Sequence, residues 1–318
     1  MRYIKFIIGL LTLTSLGGCI REDLLSECLC GGGGGEPENG SQFLYFSYKG
    51  DGTSEILTEK IKKVDLYVFD HEGKLVVSSE ISSDQLEKDH GTELQLGKGE
   101  YTVVALANKG ERTQVSDLNT GDLDMIHFAH PGFFQKDETM LTGNDPNYLG
   151  RIHLSVEDET ADIKEIVCFA SSHLKVYIEI AGYDTKTTPG KQGEQLKVVM
   201  ENMPCRVFFD NRICPQQRDY YPEMEKQENK DLYVGQLCTF RMTENHPVQI
   251  VLYAGESAEP FYTLDIEEFL KDNPKIDLTK QEAELPLRIE FNGKDVGVSV
   301  TVPDWDIEDV FPDIDFEK

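Results

Sequence analysis

The most regular feature of the chain is an alternation of hydrophobic and polar residues with a period of two. Val64, Leu66 and Val68 follow this spacing, and it recurs over residues 174–180. The clearest alternation of all lies at residues 296–302. Because successive side chains of a strand point to opposite faces, the pattern predicts β-strands with one covered face.

Further strands are indicated by the same spacing or by short apolar runs, at residues 75–77, 92–96, 101–107, 196–200, 207–209, 248–254 and 285–291. The polar residues 70–73, which end in glycine, predict a hairpin loop between strands 64–69 and 75–77. Residues 97–99 predict a turn that leads into strand 101–107. That strand is apolar on both faces, which predicts a central strand covered on both sides.

Helical patterns are scarce along the chain. Residues 266–271 have one, and a short helical turn is predicted near residues 123–128. Many short strands separated by Gly, Asn and Asp, with almost no helix, indicate an all-β protein built from β-sandwiches. A chain of 318 residues suits two domains. We predict two β-sandwiches in tandem, at residues 42–160 and 161–302.

Residues 1–18 have the pattern of a secretory signal peptide. Arg2 and Lys5 form a basic start, and an apolar run then leads to Leu16-Gly17-Gly18-Cys19. The arrangement resembles a bacterial lipobox, in which the cysteine thiol is acylated and becomes the new N-terminus. An ordinary signal peptide with a chance cysteine is the alternative. The apolar run is shorter than the roughly 20 residues that span a bilayer.

Residues 19–41 predict a flexible tether between the lipid and the first domain. They contain five consecutive glycines at 31–35, followed by polar residues, and have too few large apolar groups for a core. Several acyl chains on Cys19 would hold such a protein firmly on a membrane.

The charge balance excludes two classes of partner. The chain has 58 acidic and 31 basic residues, a formal net charge of −27. Nucleic acid and anionic lipid surfaces would repel such a protein. The simplest interpretation is a well-solvated surface, and binding of calcium or of a basic partner is the alternative.

The cysteines other than Cys19 leave their pairing open; they are Cys28, Cys30, Cys168, Cys205, Cys214 and Cys238. An even number in an exported protein allows disulfides, and Cys205 and Cys214 could close a local loop. Free thiols are the alternative. Cys28 and Cys30 have the wrong spacing for a zinc knuckle.

The sequence contains no motif that predicts catalysis, a cofactor or a metal. Residues 255–259 lack the final glycine of a nucleophile elbow, and no phosphate-binding or dinucleotide-binding loop is present. Residues 117–122 begin like a calcium loop but place Gly121 one position too early. His127 and His130 have no third ligand at a suitable spacing. We therefore expect a protein without enzymatic activity.

Residues 303–318 differ from an ordinary polar tail. Acidic residues alternate there with large apolar ones, namely Trp305, Ile307, Val310, Phe311, Ile314 and Phe316. Disordered tails seldom retain so many large apolar groups. The segment is expected either to dock on its own domain or to pair with another subunit by β-strand addition.

Four stretches together resemble the FimB-like fimbrial anchor family of Gram-negative anaerobes. They are Cys19 to Leu24 with Cys28, residues 64–73, residues 99–108, and the last strand with Asp304-Trp305. Leu106 differs from the family, which usually has tryptophan there. The resemblance implies two transthyretin-like β-sandwich domains after a lipidated tether.

The same resemblance implies a function and a location. The protein would be an outer-membrane lipoprotein that anchors a fimbrium, binds its shaft subunit and helps to set its length. Glu22 and Asp23 are similar to signals that send lipoproteins to the cell surface. A surface glycan-binding lipoprotein without catalytic activity is the alternative. Exposed tyrosine pairs in a cleft would favour that alternative, whereas an open groove beside an unpaired strand would favour fimbrial assembly.

The lipobox gives the first testable prediction. Cys19→Ala should prevent acylation and release the protein from the membrane fraction, because the thiol that carries the lipid is gone. Cell fractionation and the mass of the N-terminal peptide measure this. Membrane retention with an unchanged peptide mass would contradict the lipid anchor.

Overall fold

The computed structural model describes residues 41–135, 140–183, 195–227, 230–243, 247–255, 257–292 and 297–301. Over these residues the chain forms twenty β-strands and three short α-helices. This composition confirms the predicted all-β fold. The strands belong to five sheets, which assemble into two sandwiches and one small covering sheet.

The first sandwich is formed mainly by the N-terminal half of the chain. Its three-stranded sheet has the order β4-β1-β9, and its five-stranded sheet has the order β10-β8-β5-β2-β3. The strands are β1 (Gln42–Ser47), β2 (Val64–Asp70), β3 (Leu75–Ile81), β4 (Gly91–Leu94), β5 (Gly99–Ala107), β8 (Tyr148–Val156), β9 (Ile163–Cys168) and β10 (Ala170–Ser171). Leu44 and Phe46 of one sheet pack against Leu66, Val103 and Ala105 of the other.

The second sandwich follows the same principle. Its sheets have the orders β15-β16-β11-β19-β20 and β14-β12-β17-β18. The strands are β11 (His173–Ala181), β12 (Leu196–Pro204), β14 (Gln217–Tyr220), β15 (Met224–Lys226), β16 (Leu232–Phe240), β17 (Gln249–Ala254), β18 (Tyr262–Asp265), β19 (Glu284–Asn292) and β20 (Gly297–Thr301). Val176, Ile178 and Leu287 are fully buried between the sheets, together with Ile250 and Leu252.

A third, smaller sheet covers the outer face of the first sandwich. It has the order β13-β7-β6, with β6 at Gln114–Val115, β7 at His127–Ala129 and β13 at Arg206–Phe208. Phe128 packs there against Val104 and Leu106 of β5, whereas Val103 and Ala105 face the sandwich core. Strand β5 is therefore buried on both faces, as its sequence predicted.

Short helices lie in three of the connections between strands. They are α1 (Leu57–Lys60), α2 (Ser83–Asp89) and α3 (Ile266–Asp272). Asp265 caps α3 by accepting a hydrogen bond from the Glu268 amide, and Ile266 and Phe269 are buried. Helix α3 and a 3-10 turn at Leu123–Met125 confirm the helical predictions. Helix α2, capped by Ser82, was missed because it contains only one buried apolar residue, Leu86.

Two connections lead away from the nearest strand in the sequence. Residues 97–99, predicted as a turn, connect β4 in the three-stranded sheet to β5 in the opposite sheet. Gly91 permits this arrangement, because a Cβ atom there would lie 2.1 Å from the Leu44 carbonyl oxygen of β1. Strands β9 and β10 follow residue 160 but pair with β1 and β8 of the first sandwich.

The two sandwiches meet at a polar junction around Glu282, which directly precedes the second-sandwich residues Ala283 and Glu284. The hydroxyl groups of Tyr48 and Tyr148 both donate hydrogen bonds to its Oε1, the second at 3.1 Å. The Lys60 ammonium lies 3.7 Å from its Oε2. Burial opposes ionisation of Glu282, but the Tyr48 hydrogen bond and nearby positive groups outweigh burial and lower its pKa. The carboxylate therefore holds side chains of the first sandwich against the second.

His173 occupies the same junction and is 1% exposed. Its Nδ1 donates a hydrogen bond to the Asn147 carbonyl oxygen at 3.0 Å, because a carbonyl can only accept. Burial lowers the pKa of His173 to about 4. The imidazole is thus neutral in the folded protein at neutral pH.

The doubly covered strand gives a prediction about stability. Val104→Asp should lower the free energy of unfolding by several kcal/mol, because Val104 is fully buried and an unpaired carboxylate would replace it. Val76→Asp is the matched control, since Val76 is 44% exposed on β3, and should cost about 1 kcal/mol or less. Equal denaturant midpoints for the two variants would contradict the burial of β5.

The junction histidine gives a prediction about pH. The folded pKa of about 4 lies below the unfolded value of about 6.5, so the unfolded chain binds the proton more tightly. His173 therefore contributes stability above pH 6.5 that is lost as the pH falls to about 4, by about 3 kcal/mol.

His173→Asn keeps an amide donor but does not titrate. The difference in free energy of unfolding between wild type and this variant should shrink progressively between pH 6.5 and pH 4. His127 and His130 are present in both proteins, so their contributions cancel. Denaturant titrations at several pH values measure the difference, and a constant difference would contradict a buried, neutral His173.

Candidate partner-binding surfaces

The residues that the sequence indicates for lipidation, export and partner binding lie outside the described ranges. These are Cys19, Glu22 and Asp23 near the N-terminus, and Trp305, Ile307, Val310, Phe311, Ile314 and Phe316 after β20. Their roles stay predictions. The structure does describe the strand from which residues 303–318 depart, and the surfaces that surround it.

Strand β20 forms one edge of the five-stranded sheet of the second sandwich. It pairs with β19 from Asn292↔Gly297 to Arg288↔Thr301, and no strand of the described chain pairs with its other side. An edge strand presents a row of backbone N–H and C=O groups that another strand can pair with. The chain that follows Thr301 is therefore attached directly to a pairing edge.

The β19–β20 register also gives the direction in which the chain leaves. Antiparallel pairing carries β20 toward Glu284, the first residue of β19. Glu284 pairs with Lys175 of β11, close to the junction with the first sandwich. The C-terminal end of β20, at Thr301, therefore points toward the junction.

Strand β3 is a second open edge, in the first sandwich. Its pairing with β2 is interrupted by a register shift between Val68 and Phe69, and Glu80 carries an ion pair with Lys63 at 3.5 Å. Irregular pairing and charged side chains are features that protect edges from unwanted pairing. Strand β3 is the less suitable of the two edges for a partner strand.

A surface cleft of about 410 Å³ lies at the tip of the β2–β3 hairpin. Asp70, Glu72 and Glu100 line it together with His71 and other residues. The carboxylate of Asp70 is already engaged, because it accepts hydrogen bonds from the amides of Glu72 and Lys74 at 3.0 Å each. Among the residues described, no group of His, Cys, Asp and Glu has an arrangement that could hold a metal ion.

The cleft lacks the feature that would favour glycan binding. Tyr101 is its single tyrosine, and neither phenylalanine nor tryptophan lines it. The hydroxyl of Tyr101 donates to the Gly97 carbonyl oxygen at 2.9 Å, which fixes the ring beside the strand. No pair of aromatic side chains is available there for stacking against a sugar.

His127 and His130 make separate backbone contacts. The His127 Nδ1 lies 3.0 Å from the Met125 carbonyl oxygen and acts as a donor, whereas the His130 Nδ1 accepts from the Gly132 amide at 3.0 Å. Burial lowers the pKa of both imidazoles. His127 therefore carries its proton on Nδ1 and neutral His130 carries its proton on Nε2. Both imidazoles have structural roles.

Three described cysteines, Cys205, Cys214 and Cys238, carry free thiols. Cys205 and Cys214 do not close the local loop considered from the sequence. The Cys205 Sγ donates instead to the Gln216 carbonyl oxygen at 3.2 Å, and burial raises its pKa to about 12. Burial also raises the pKa of Cys238, to about 11.

The outer face of the third sheet carries an aromatic and cationic cluster that the sequence analysis missed. Its members are His127, Phe133, Phe134, Arg206, Phe208 and Arg212, which we call the aromatic–cationic patch. They come from distant parts of the sequence, and β7–β13 pairing brings them together. No short motif could have revealed the patch.

No helix in the described part of the chain is long and apolar enough to cross a membrane.

Comparisons with solved structures show that the chain shares its fold with proteins from Bacteroides and Porphyromonas species. A candidate adhesin from Bacteroides ovatus superposes with a TM-score of 0.68 at 15% identity, over 84% of this chain and 94% of that one. A candidate polysaccharide-binding protein from Bacteroides thetaiotaomicron gives 0.65 at 16% identity, over 84% and 96%. The fimbrial anchor protein Mfa2 from Porphyromonas gingivalis gives 0.60 at 14% identity, over 83% and 95%.

Sequence comparison gives a more specific result. No curated protein sequence matches the chain. The model of the family of fimbrillin-A associated anchor proteins Mfa1 and Mfa2 matches residues 32–311, which include every strand described above. The chain therefore belongs to the family of fimbrillin-A associated anchor proteins.

Proposed function

We propose that the protein is an outer-membrane lipoprotein that anchors a fimbrium to the cell surface. The observation that carries the proposal is the family match over residues 32–311, and the position of β20 at the edge of its sheet, among the strands described, agrees with it. The glycan-binding alternative has less support, because the described cleft contains a single tyrosine.

The membrane end of the anchor would be Cys19. Acyl chains on this residue hold the protein in the lipid, and residues 19–41 separate it from strand β1. The glycine-rich part, residues 31–41, has a root-mean-square reach of roughly 18 Å as a flexible chain. Glu22 and Asp23 would direct the lipoprotein to the outside of the outer membrane.

The fimbrial end would lie at β20 and the segment that follows it. Residues 303–318 carry six large apolar side chains spaced among acids, which suits a strand that fills a groove in another subunit. Main-chain hydrogen bonds would supply affinity, and the apolar side chains would supply specificity. The shaft subunit of the fimbrium is the proposed partner.

The polar junction supports an anchoring function for a mechanical reason. A fimbrium under load pulls its anchor between the lipid and the attachment point. These two points lie on different sandwiches in the proposal. Contacts such as Ser171 N–H to Gln281 Oε1 at 2.8 Å and Gln281 N–H to Asp51 Oδ1 at 2.9 Å join the sandwiches directly.

Deletion of residues 303–318 tests the proposed joint. The variant should fold and remain on the membrane, because the described strands of both sandwiches precede the deleted residues. It should release fimbriae from the cells, since the pairing segment is lost. Electron microscopy of cells and immunoblotting of the culture medium measure attachment.

Two other outcomes would contradict the proposed joint. Unfolding of the second sandwich would show that residues 303–318 are part of its structure. Fimbriae that stay attached with normal length would show that the joint lies elsewhere, for example in a groove of either sandwich. Cys19→Ala serves as the control that detaches the anchor from the membrane without altering the joint.

A further inference from the structure

The aromatic–cationic patch is a partly exposed surface that combines phenylalanine rings with arginine side chains. The Arg206 guanidinium lies 5.4 Å from the ring centroid of Phe133 and 5.6 Å from that of Phe208. Arg212 lies 5.1 Å from the Phe208 ring. Such cation–π contacts use the faces of the guanidinium groups, so the N–H groups along their edges can donate hydrogen bonds to an anionic partner.

The rings of the patch are only partly covered by the described chain. Phe133, Phe134 and Phe208 are each partly exposed. The His127 ring stacks on Phe134 at 5.7 Å and meets Phe208 edge-on at 6.0 Å. Nearby Met125 is 56% exposed. A contiguous group of partly exposed rings, beside an exposed methionine, offers apolar surface on which another apolar group can pack.

The positive charge of the patch is incompletely neutralised. Arg212 pairs with Asp210. Arg206 makes no ion pair with any carboxylate that the structure describes, and its Nε lies 2.9 Å from the Cys214 Sγ. In a chain of net charge −27, this surface is therefore suited to an occupant that is both acidic and aromatic.

Residues 303–318 have this chemistry. They contain seven acidic residues and one lysine, and Trp305, Phe311 and Phe316 supply aromatic rings. The other stretches beyond the described ranges, once the leader is set aside, contain no aromatic residue. Among these stretches, residues 303–318 therefore have the acidic and aromatic character that suits the patch.

The length and direction of the chain allow the contact. Strand β20 ends at Thr301, pointing toward the end of the sheet where His173 of β11 pairs with Phe240 of β16. Three strand spacings separate β20 from β16, about 14 Å in total. The Phe240 ring packs on Phe128 of β7 at 5.7 Å, and β7 carries the patch residue His127 on its outer face. Sixteen extended residues reach about 50 Å, which is ample.

We propose that residues 303–318 dock on the aromatic–cationic patch of their own chain. Acidic side chains of the segment pair with Arg206 and Arg212, and its aromatic rings pack on Phe133, Phe134 and Phe208. A docked segment is not available to pair with a shaft subunit, and this consequence alone rests on the proposed function. The docking itself does not depend on the proposed function and can be measured on the purified protein.

Trp305 is the single tryptophan of the chain and reports directly on the segment. The experiment uses soluble protein of residues 19–318 carrying Cys19→Ala, together with a free peptide of residues 303–318. Trp305 emission in the protein should be blue-shifted, and its quenching by acrylamide should be several-fold weaker than in the peptide. Raising the salt concentration should weaken the protection, because the charge pairs are at the surface.

Charge reversal identifies the surface. Arg206→Glu with Arg212→Glu should give emission and quenching close to those of the free peptide. Lys88→Glu with Lys271→Glu is the matched control, because these lysines are 81% and 67% exposed on helices α2 and α3 and carry the same charge change. The control should behave as wild type, and a thermal melt of each variant verifies folding.

A charge swap separates docking from a folding defect. Replacement of Asp304 and Asp306 by lysine should also release Trp305, and combination with Arg206→Glu and Arg212→Glu should restore its protection. Three results would overturn the proposal: quenching of the wild type equal to that of the peptide, protection that survives both reversals, or protection that appears only at high protein concentration. The last result would indicate docking between two copies of the chain.

Discussion

The structure depends on the burial of strand β5 on both of its faces. The strand is hydrogen-bonded along its length to β2 on one side and β8 on the other, so its backbone groups are paired away from water. Its odd-numbered residues, such as Val103 and Ala105, pack in the core of the first sandwich, and its even-numbered residues Val104 and Leu106 pack under the covering sheet. This one strand fixes the position of the covering sheet on the first sandwich, because the three-stranded sheet of the sandwich packs on one face of the strand and the covering sheet packs on the other.

The junction between the sandwiches fixes their relative orientation through polar contacts. Tyr48, Tyr148 and Glu282 are polar and largely removed from water, which is costly unless their hydrogen bonds are made. Their arrangement satisfies them only when both sandwiches are in place. Polar contacts of this kind specify one relative orientation, whereas an apolar contact of equal area would tolerate several.

Prediction from the sequence was most successful where it depended on local periodicity. The β2–β3 hairpin, helix α3 and the covered character of β5 all follow from neighbouring residues. Strand β16 was missed although it has nine residues, because Leu232 to Val234 and Leu237 do not alternate regularly with polar residues. The aromatic–cationic patch was missed for a related reason, since its residues meet only through the non-local pairing of β7 with β13.

The parallel pairing of β1 with β9 has a consequence for the order of folding. Gln42 pairs with Ile163, so β1 finds this neighbour only when 121 further residues are present. Closing a flexible loop of that length costs about 4 kcal/mol in chain entropy, which makes the pairing a late event. A chain made from its N-terminus would therefore hold β1 without this neighbour until the whole first half has been synthesised, which leaves one side of β1 open to other strands in the meantime.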